Sequence, residues 1–595
     1  MDKRTILAVV LSVVVIAGSA FLQTYLFPPK PVAPTAAVTD TTKLVATTTT
    51  LTTAELAPLP GAPQAQLADA EVPAKTFVVE NNVMKVTFSN EGAVVTGIAM
   101  KKHKELDGSP VQMLLNDEGI GSAFQTSFGG FEADPIRATF AMTQSGQLSW
   151  TFTRSFLDKK GLAFTMTKVF TLQPDEYLIK IDVKIKGANG ALPVLADGPW
   201  AYTLSYGPQL GPKFKKLDNT SEFRKYSNFK DNNRSDEGLN KETKSYDAKA
   251  TWSAIEGKYF TVIGIPDGTA YKTVFSNKPG VGEKEVSRLA FTRPSLTSSD
   301  SPDTFYFYVG PKQEASLTLY NDKDTNKFGL GALHLERTRE SMWILDYLAE
   351  LLKWVMLMFH TVIPNWGVSI ILLTILLKLA TWPLTAKSYR ANAAMQSLQP
   401  KLKEMQEKYK DDPKKLNEAT MGLYQQEGVN PLGGCLPMVL QIPIFFALYG
   451  LFNNHFDLRG AMFIPGWIPD LSLPDSVWHW GFALPLVNWT DLRILPLLMV
   501  GTQIWTSALS QPTGGMTQQM KIMTFGLPVI FLFMLYEMPS GLMVYWCVQN
   551  ILTVVQQWYI NTHFKKTPPK KPAGKTQPGK PNLKLAPKTG NKLTK

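Results

Sequence analysis

Residues Trp366 to Arg390 read WGVSIILLTILLKLATWPLTAKSYR, an apolar run of membrane-spanning length with one lysine, Lys378, in its interior. An ionisable side chain at bilayer depth costs about 2.5 to 3.5 kcal/mol on insertion scales, so such a residue faces a polar cavity or a partner instead of lipid. The alternative is snorkelling, because Lys387 marks the polar edge only nine positions later, roughly 13 Å along a helix. On a helical wheel Thr374, Lys378, Thr381 and Thr385 fall at i, i+4, i+7 and i+11 and share one face. A stripe of that kind asks for a polar environment.

Outward from this run the chain divides into stretches suited to different solvents. Met1 to Phe27 starts with Lys3 and Arg4 and continues apolar from Ile6, which fits an N-terminal anchor over 1–27 with its start in the cytoplasm; a cleavable signal peptide ending near Gly18-Ser19-Ala20 is the competing reading. Residues 28–74 are rich in Pro, Thr and Ala and poor in aromatics, the composition of a disordered tether. From 75 to 330 alternating strands are expected, at Phe77 to Phe88, Leu148 to Phe156, Leu162 to Leu172, Tyr177 to Ile185 and Thr304 to Val309, giving a β-sandwich of the sugar-binding kind. The charged stretch Lys213 to Lys249 mixes both signs and is expected to be a solvated loop region.

After the sandwich, Trp343 to Phe359 carries Asp346, Glu350 and Lys353 on one side, which predicts an interfacial amphipathic helix over 340–360; a core helix closing the sandwich is the other option. Five hydrophobic segments follow, near 366–386, 434–454, 492–509, 522–536 and 541–560. The loop between the first two of them holds eight Lys or Arg, whereas His455 to Asp491 holds only Arg459, so the first loop is placed in the cytoplasm and the second outside. Around Asp411-Asp412-Pro413 the loop over 387–430 reads as a helical hairpin, with Met395, Leu398, Leu402, Met405 and Tyr409 on one face and Leu416, Met421, Leu423 and Tyr424 beyond the turn. Net charge is +12, and ten lysines lie in the basic tail 565–595.

Composition excludes several chemistries. Two cysteines, Cys435 and Cys547, lie in apolar segments with no histidine near them, so neither a disulfide framework nor a zinc site is expected. The β-region has one histidine, His103, too few for a mutarotase-type His and carboxylate constellation. No glycine-rich phosphate loop is present, so no ATP site, cofactor or catalytic residue is expected.

Several short motifs recur in order: Asn365-Trp366-Gly367, Trp382-Pro383-Leu384-Thr385, Asn430-Pro431-Leu432-Gly433-Gly434-Cys435, Gln441-Ile442-Pro443-Ile444-Phe445, and Pro539-Ser540-Gly541-Leu542 followed by Tyr545-Trp546 and Asn550. Together they resemble the YidC membrane protein insertases of Gram-negative bacteria, closely over 342–564 and more loosely over the first span, tether and β-domain. The resemblance implies an α-helical polytopic inner-membrane protein with six transmembrane helices. It implies a five-helix insertase core over 366–564, a periplasmic β-sandwich, a cytoplasmic helical hairpin and both termini in the cytoplasm.

It also implies a hydrophilic groove, open to cytoplasm and lipid and closed outside, that receives the polar parts of nascent membrane proteins. Groove candidates are Thr374, Lys378, Thr381, Gln441, Thr502, Gln503, Thr506, Tyr545, Trp546, Gln549 and Asn550, with Thr553 and Gln556 also available, although any one of them can serve as interhelical hydrogen-bond glue instead. Lys378 stands where the family typically carries arginine. Partners implied are the Sec translocon, the ribosome and signal-recognition targeting machinery, and membrane lipids, with a monomer as the working unit. Docking candidates are Lys401, Lys403, Lys408, Lys414 and Lys415 in the hairpin and Lys565, Lys566, Lys570 and Lys571 in the tail. Competing readings are a polytopic transporter and an envelope enzyme acting through the β-domain.

Overall fold

The computed structural model describes residues 72–564, apart from 106, 116–120, 215, 216, 218–221, 248, 280–284, 340–343, 411, 430–435, 455, 483, 485, 486, 488 and 510–521. The anchor 1–27, nearly all of the tether 28–74, the Asn430–Cys435 motif and the basic tail therefore lie outside the described residues.

The strands, in chain order, are β1 (Thr76–Glu80), β2 (Met84–Ser89), β3 (Val94–Lys104), β4 (Pro110–Gln112), β5 (Gln125–Phe128), β6 (Ala141–Gly146), β7 (Ser149–Leu157), β8 (Ala163–Leu172) and β9 (Leu178–Gly187). They continue with β10 (Trp200–Tyr206), β11 (Lys225–Lys230), β12 (Asn233–Glu237), β13 (Thr243–Tyr246), β14 (Trp252–Glu256), β15 (Phe260–Pro266), β16 (Lys272–Ser276), β17 (Arg288–Pro294) and β18 (Asp300–Pro311). Nine of them form one sheet in the order β12-β11-β14-β15-β18-β9-β8-β7-β6, with a five-stranded sheet β13-β16-β17-β10-β5 and a four-stranded sheet β1-β2-β3-β4. Side chains alternate in and out along β8, as a sheet with one buried face requires. Aromatics join the layers: Phe291 meets Phe305 and Phe307 at 5.9 Å, and Phe88 meets Phe170 at 5.2 Å.

Two sequence expectations need correction. The segment Phe77 to Phe88 is not one strand but β1 and β2, because Asn81 turns the chain by accepting at Oδ1 from the Val83 and Met84 amides (2.9 and 2.7 Å). The stretch Lys213 to Lys249 is not a loop region. It contains β11, β12 and β13, and Asp231 and Asn232, both at positive φ, make the β11–β12 turn. Most of its charges are exposed or half-exposed, but Glu222 and Arg224 form a buried pair (2.6 Å), and Tyr226 and Phe229 are buried.

The helices are α1 (Ile344–Val362), α2 (Trp366–Ser397), α3 (Gln399–Lys408), α4 (Pro413–Gln426), α5 (Leu436–Asn454), α6 (Ile494–Leu509), α7 (Leu527–Leu535, preceded by a π-turn at Ile522–Gly526) and α8 (Ser540–Phe564). Among the described residues one helix, over Trp366–Tyr389, is long and apolar enough to cross a membrane; shorter apolar helices cover Val439–Asn453, Ile494–Leu509 and Thr524–Leu535. α2 continues eleven residues past the expected end at 386 and carries Pro383 inside it. Leu352 and Met356 of α1 join a second hydrophobic core with α2, α5, α6 and α8, so α1 belongs to the helical region and does not close the sandwich. Tyr347, Leu351, Trp354, Met358 and Val362 of the same helix form an exposed stripe at helical spacing, while Leu348, Ala349 and Val355 pack against that core.

The loop after α5 ties these parts together. Phe456 is buried within the β-domain core, edge-on to His103 (4.8 Å) and Phe260 (5.4 Å). Arg459 donates to the Lys104 carbonyl (2.7 Å) and to Glu105 Oε2 (2.9 Å), and its guanidinium lies over the Phe260 ring. Farther on, the Lys258 ammonium of the β-domain donates to the Ser472 carbonyl (3.2 Å).

Candidate functional site

The Asn365-Trp366-Gly367 motif starts α2. The Asn365 side chain accepts from the Val368 amide (3.1 Å) and donates to the Phe463 carbonyl (3.3 Å), capping the helix and fixing it to the loop after α5. Gly367 is required by packing: a Cβ there would lie 1.9 Å from Phe463 Cδ2. α8 begins the same way, with the Ser540 and Gly541 amides donating to Leu473 O (2.8 Å) and Leu471 O (2.9 Å). At the start of α6, Asp475 Oδ2 accepts from the Ile494 and Leu495 amides (2.8 and 3.1 Å), a carboxylate placed against a helix N-terminus.

Anchored in this way, α2, α5, α6 and α8 bring polar side chains together in two clusters. In the first, Lys378 of α2, only 7% exposed, donates to Thr553 Oγ1 (2.7 Å), and the Thr553 hydroxyl donates to the Gln549 carbonyl (2.7 Å). One turn away on α8, the Tyr545 hydroxyl accepts from Gln441 of α5, whose Oε1 accepts from Gln549 Nε2 (3.3 Å). Gln549 Oε1 and both polar atoms of the Gln556 amide are buried and have no hydrogen-bond partner among the described residues. Gln549, Thr553 and Gln556 lie at i, i+4 and i+7, so the unsatisfied groups share the α8 face that meets Lys378.

The second cluster lies between α6 and α8. Asn550 Nδ2 donates to Thr502 Oγ1 (3.1 Å), the Thr506 hydroxyl reaches the Asn550 carbonyl (3.5 Å), and Trp546 Nε1 donates to Gln503 Oε1 (3.4 Å). These contacts tie one helix to its neighbour in the manner of interhelical glue.

The structure thus joins Lys378, Gln441, Tyr545 and Gln549, and separately Thr502, Gln503, Thr506, Trp546 and Asn550. Thr374 and Thr381 join neither cluster. Their hydroxyls donate back to Ile370 O (2.7 Å) and Leu377 O (2.8 Å), as Thr385 does to Thr381 O (2.9 Å), so three members of the sequence stripe are satisfied by their own helix. Reading one helix misses Phe456, Arg459 and Asp475, whose partners lie on other elements; a single arginine in a loop with no other Lys or Arg was the available signal for Arg459.

Lys401, Lys403, Lys408, Lys414 and Lys415 are exposed on α3 and α4. Lys401 pairs with Glu427 (2.5 Å) and Lys415 with Asp412 (3.0 Å), and the Asp412 side chain caps α4. Leu398, Leu402 and Leu423 are buried there, whereas Met421, expected on the apolar face, is exposed. Lys565, Lys566, Lys570 and Lys571 lie outside the described residues. Among the described residues no group of His, Cys, Asp and Glu could hold a metal ion.

Comparison with known proteins bears on the whole chain. A family profile described as "60Kd inner membrane protein" matches residues 358–567, and one described as "YidC periplasmic domain" matches 76–338. Proteins named membrane protein insertase YidC are similar along nearly the full length. The one from Treponema denticola is 36% identical over 95% of this chain and 100% of its own, and that from Treponema pallidum is 34% identical over 94% and 98%. Among solved structures, an active YidC insertase aligns over 84% of this chain and 95% of its own at 16% identity with a TM-score of 0.36. A galactose mutarotase-like protein from Lactobacillus casei aligns over 40% of this chain and 100% of its own at 9% identity with a TM-score of 0.28. With a periplasmic β-rich domain followed by a helical C-terminal region, the chain belongs to the YidC family of inner-membrane protein insertases.

Proposed function

We propose that the chain inserts and helps fold integral inner-membrane proteins by offering their polar segments a hydrated groove between α2, α5 and α8. The observation that carries this reading is the set of buried, unpartnered polar atoms on Gln549 and Gln556 beside the Lys378–Thr553 bond. A buried polar group left unpaired costs about 1–3 kcal/mol, so this face calls for water or the polar atoms of a passing chain. The second cluster holds α6 against α8 and so forms the wall of the groove. Insertion then draws on hydrophobic partitioning of the substrate and on the membrane potential acting on its charges.

In this reading the chain crosses the membrane six times, counting the first segment and treating the five C-terminal hydrophobic segments as spans, with both termini in the cytoplasm. Domain limits follow the sequence reading, with the β-domain over 75–330, the interfacial helix over 340–360 and the insertase core over 366–564. The exposed stripe of α1 supports its lying in the outer membrane interface, where apolar residues meet lipid. α3 and α4 lie in the cytoplasm and, with the lysine tail, dock ribosomes and the targeting machinery through a salt-sensitive electrostatic attraction. The molecule works as a monomer, alone or beside a Sec-type translocon.

Reconstitution tests this directly. The purified full-length chain in liposomes is expected to insert a small, translocon-independent membrane protein; no insertion, accompanied by flux of small solutes, overturns the reading in favour of a transporter. Truncation after Phe564 is expected to weaken ribosome co-sedimentation at low salt.

A further inference from the structure

One loop, over 456–475, touches the β-domain at one end and the starts of three helices at the other. On the β-domain side Phe456 fills a socket formed by His103, Tyr259 and Phe260, with ring centroids 4.8, 6.3 and 5.4 Å away. The Arg459–Glu105 pair beside it is largely shielded, with side-chain exposures of 14% and 12%. On the helix side, Phe463 packs against Gly367 of α2, Asp475 caps α6, and the carbonyls of Asp470, Leu471 and Leu473 accept from Ser540 and Gly541 of α8. Ser472 lies between the two sides: its carbonyl accepts from Lys258 of the β-domain, while its hydroxyl donates to Asp470 Oδ1 (2.5 Å). The loop is thus held at both ends by directional bonds, and α2 and α8 carry the Lys378–Thr553 pair farther along.

Resting on the insertase reading above, we propose that the β-domain is an external brace: through Phe456 and Arg459 it fixes the 456–475 loop across the outer ends of α2, α6 and α8 and so keeps the polar cluster sealed from the periplasmic side. Phe456 and Arg459 are positioning residues, acting through the loop and not on the substrate. The contact is built to resist shear, because an aromatic plug fixes position and an arginine bonded to both a carbonyl and a carboxylate fixes orientation. Losing either removes one of those constraints while leaving the helix-side caps intact.

The native Cys547 thiol reports on the seal. It is buried on α8, seven positions after Ser540, and its Sγ lies 3.8 Å from the Leu495 carbonyl of α6. In the full-length chain carrying Cys435→Ser, held in membranes accessible from the periplasmic side, a membrane-impermeant maleimide is expected to label Cys547 slowly. Arg459→Glu, which faces Glu105 with a like charge, is expected to speed labelling about tenfold, equivalent to making local opening easier by about 1.4 kcal/mol. Glu105→Arg in the same chain returns the rate toward the parental value, and Phe456→Ala speeds it without altering any charge. Labelling from the cytoplasmic side stays at the parental rate in every variant, which a general loss of folding would not allow. Parental rates from the periplasmic side in both Arg459→Glu and Phe456→Ala, or no reversal by Glu105→Arg, overturn the brace. A chain that labels as expected yet fails to insert the liposome substrate contradicts the insertase reading instead.

Discussion

Replacing Lys378 separates charge from packing in the proposed groove. The Thr553 hydroxyl proton is committed to the Gln549 carbonyl, so its oxygen can only accept from Lys378, and the ammonium keeps further donors for a substrate. A substrate carboxylate passing at roughly 8 Å, with an effective dielectric constant of about 20, gains about 2 kcal/mol from the charge, a factor of roughly thirty in occupancy. Lys378→Ala is therefore expected to slow insertion of a substrate with an acidic translocated tail by up to about thirtyfold, while the same substrate with Asn and Gln in place of Asp and Glu is little affected. Lys378→Arg is expected to restore the acidic substrate, because charge and not ammonium geometry supplies the attraction. Proteoliposomes with matched acidic and neutral substrates measure the ratio of insertion rates. An unchanged ratio in Lys378→Ala refutes an electrostatic role for this residue, even if both rates fall together.

Three further outcomes follow from the packing and from titration. Gly367→Ala drives a methyl group into the Phe463 ring and is expected to cost about 1–3 kcal/mol of stability, read as a lowered unfolding midpoint in detergent and recovered in part by Phe463→Ala. Lys168, buried in the sandwich, donates to the Ala93 and Phe124 carbonyls (both 2.7 Å), and burial holds its ammonium down to about 7. Between pH of about 7 and 10.5 the unfolded chain therefore binds more protons there, and stability rises with pH across that window. Lys168→Met is expected to abolish the rise and, at pH 9, to be less stable, since two buried carbonyls lose their donor; thermal unfolding at pH 7 and pH 9 checks both. His103 is pushed down to about 4 by burial first and then by the nearby Arg459 and Lys102 charges. Its contribution is complete above about pH 6.5 and is lost as the pH falls toward 4, so resistance of the chain to proteolysis is expected to decline over that interval and to decline less in His103→Gln.

The helical region was legible in broad outline because sustained apolar runs with helical spacing leave few alternatives, and α2, α5, α6 and α8 fall on such runs. The strands β7, β8 and β9 were legible for the corresponding reason, a period of two between turn residues. What the wheel around Lys378 could not convey is the destination of each hydroxyl. A threonine within a helix can donate to the carbonyl four residues back, and Thr374, Thr381 and Thr385 all do so. The partner of Lys378 is 175 residues away, beyond the reach of any local pattern. Charge concealed the hairpin of β11 and β12, since alternation there sets charged residues against few aromatics. The Asp231-Asn232 pair was the turn signal that should have outweighed it. Contacts such as Arg459 with Glu105 arise only once two distant stretches have folded onto one another.

Phe456 also sets an order of events. Strands β1 to β18 leave the ribosome before it, and the 145 residues from Pro311 to Phe456 take roughly 10–30 s to make at ordinary bacterial rates. Through that interval the socket of His103, Tyr259 and Phe260 has no plug, and it is completed only when the segment after α5 reaches it. One ring of the β-domain core is therefore delivered by the helical region, after every other residue of that core has been made.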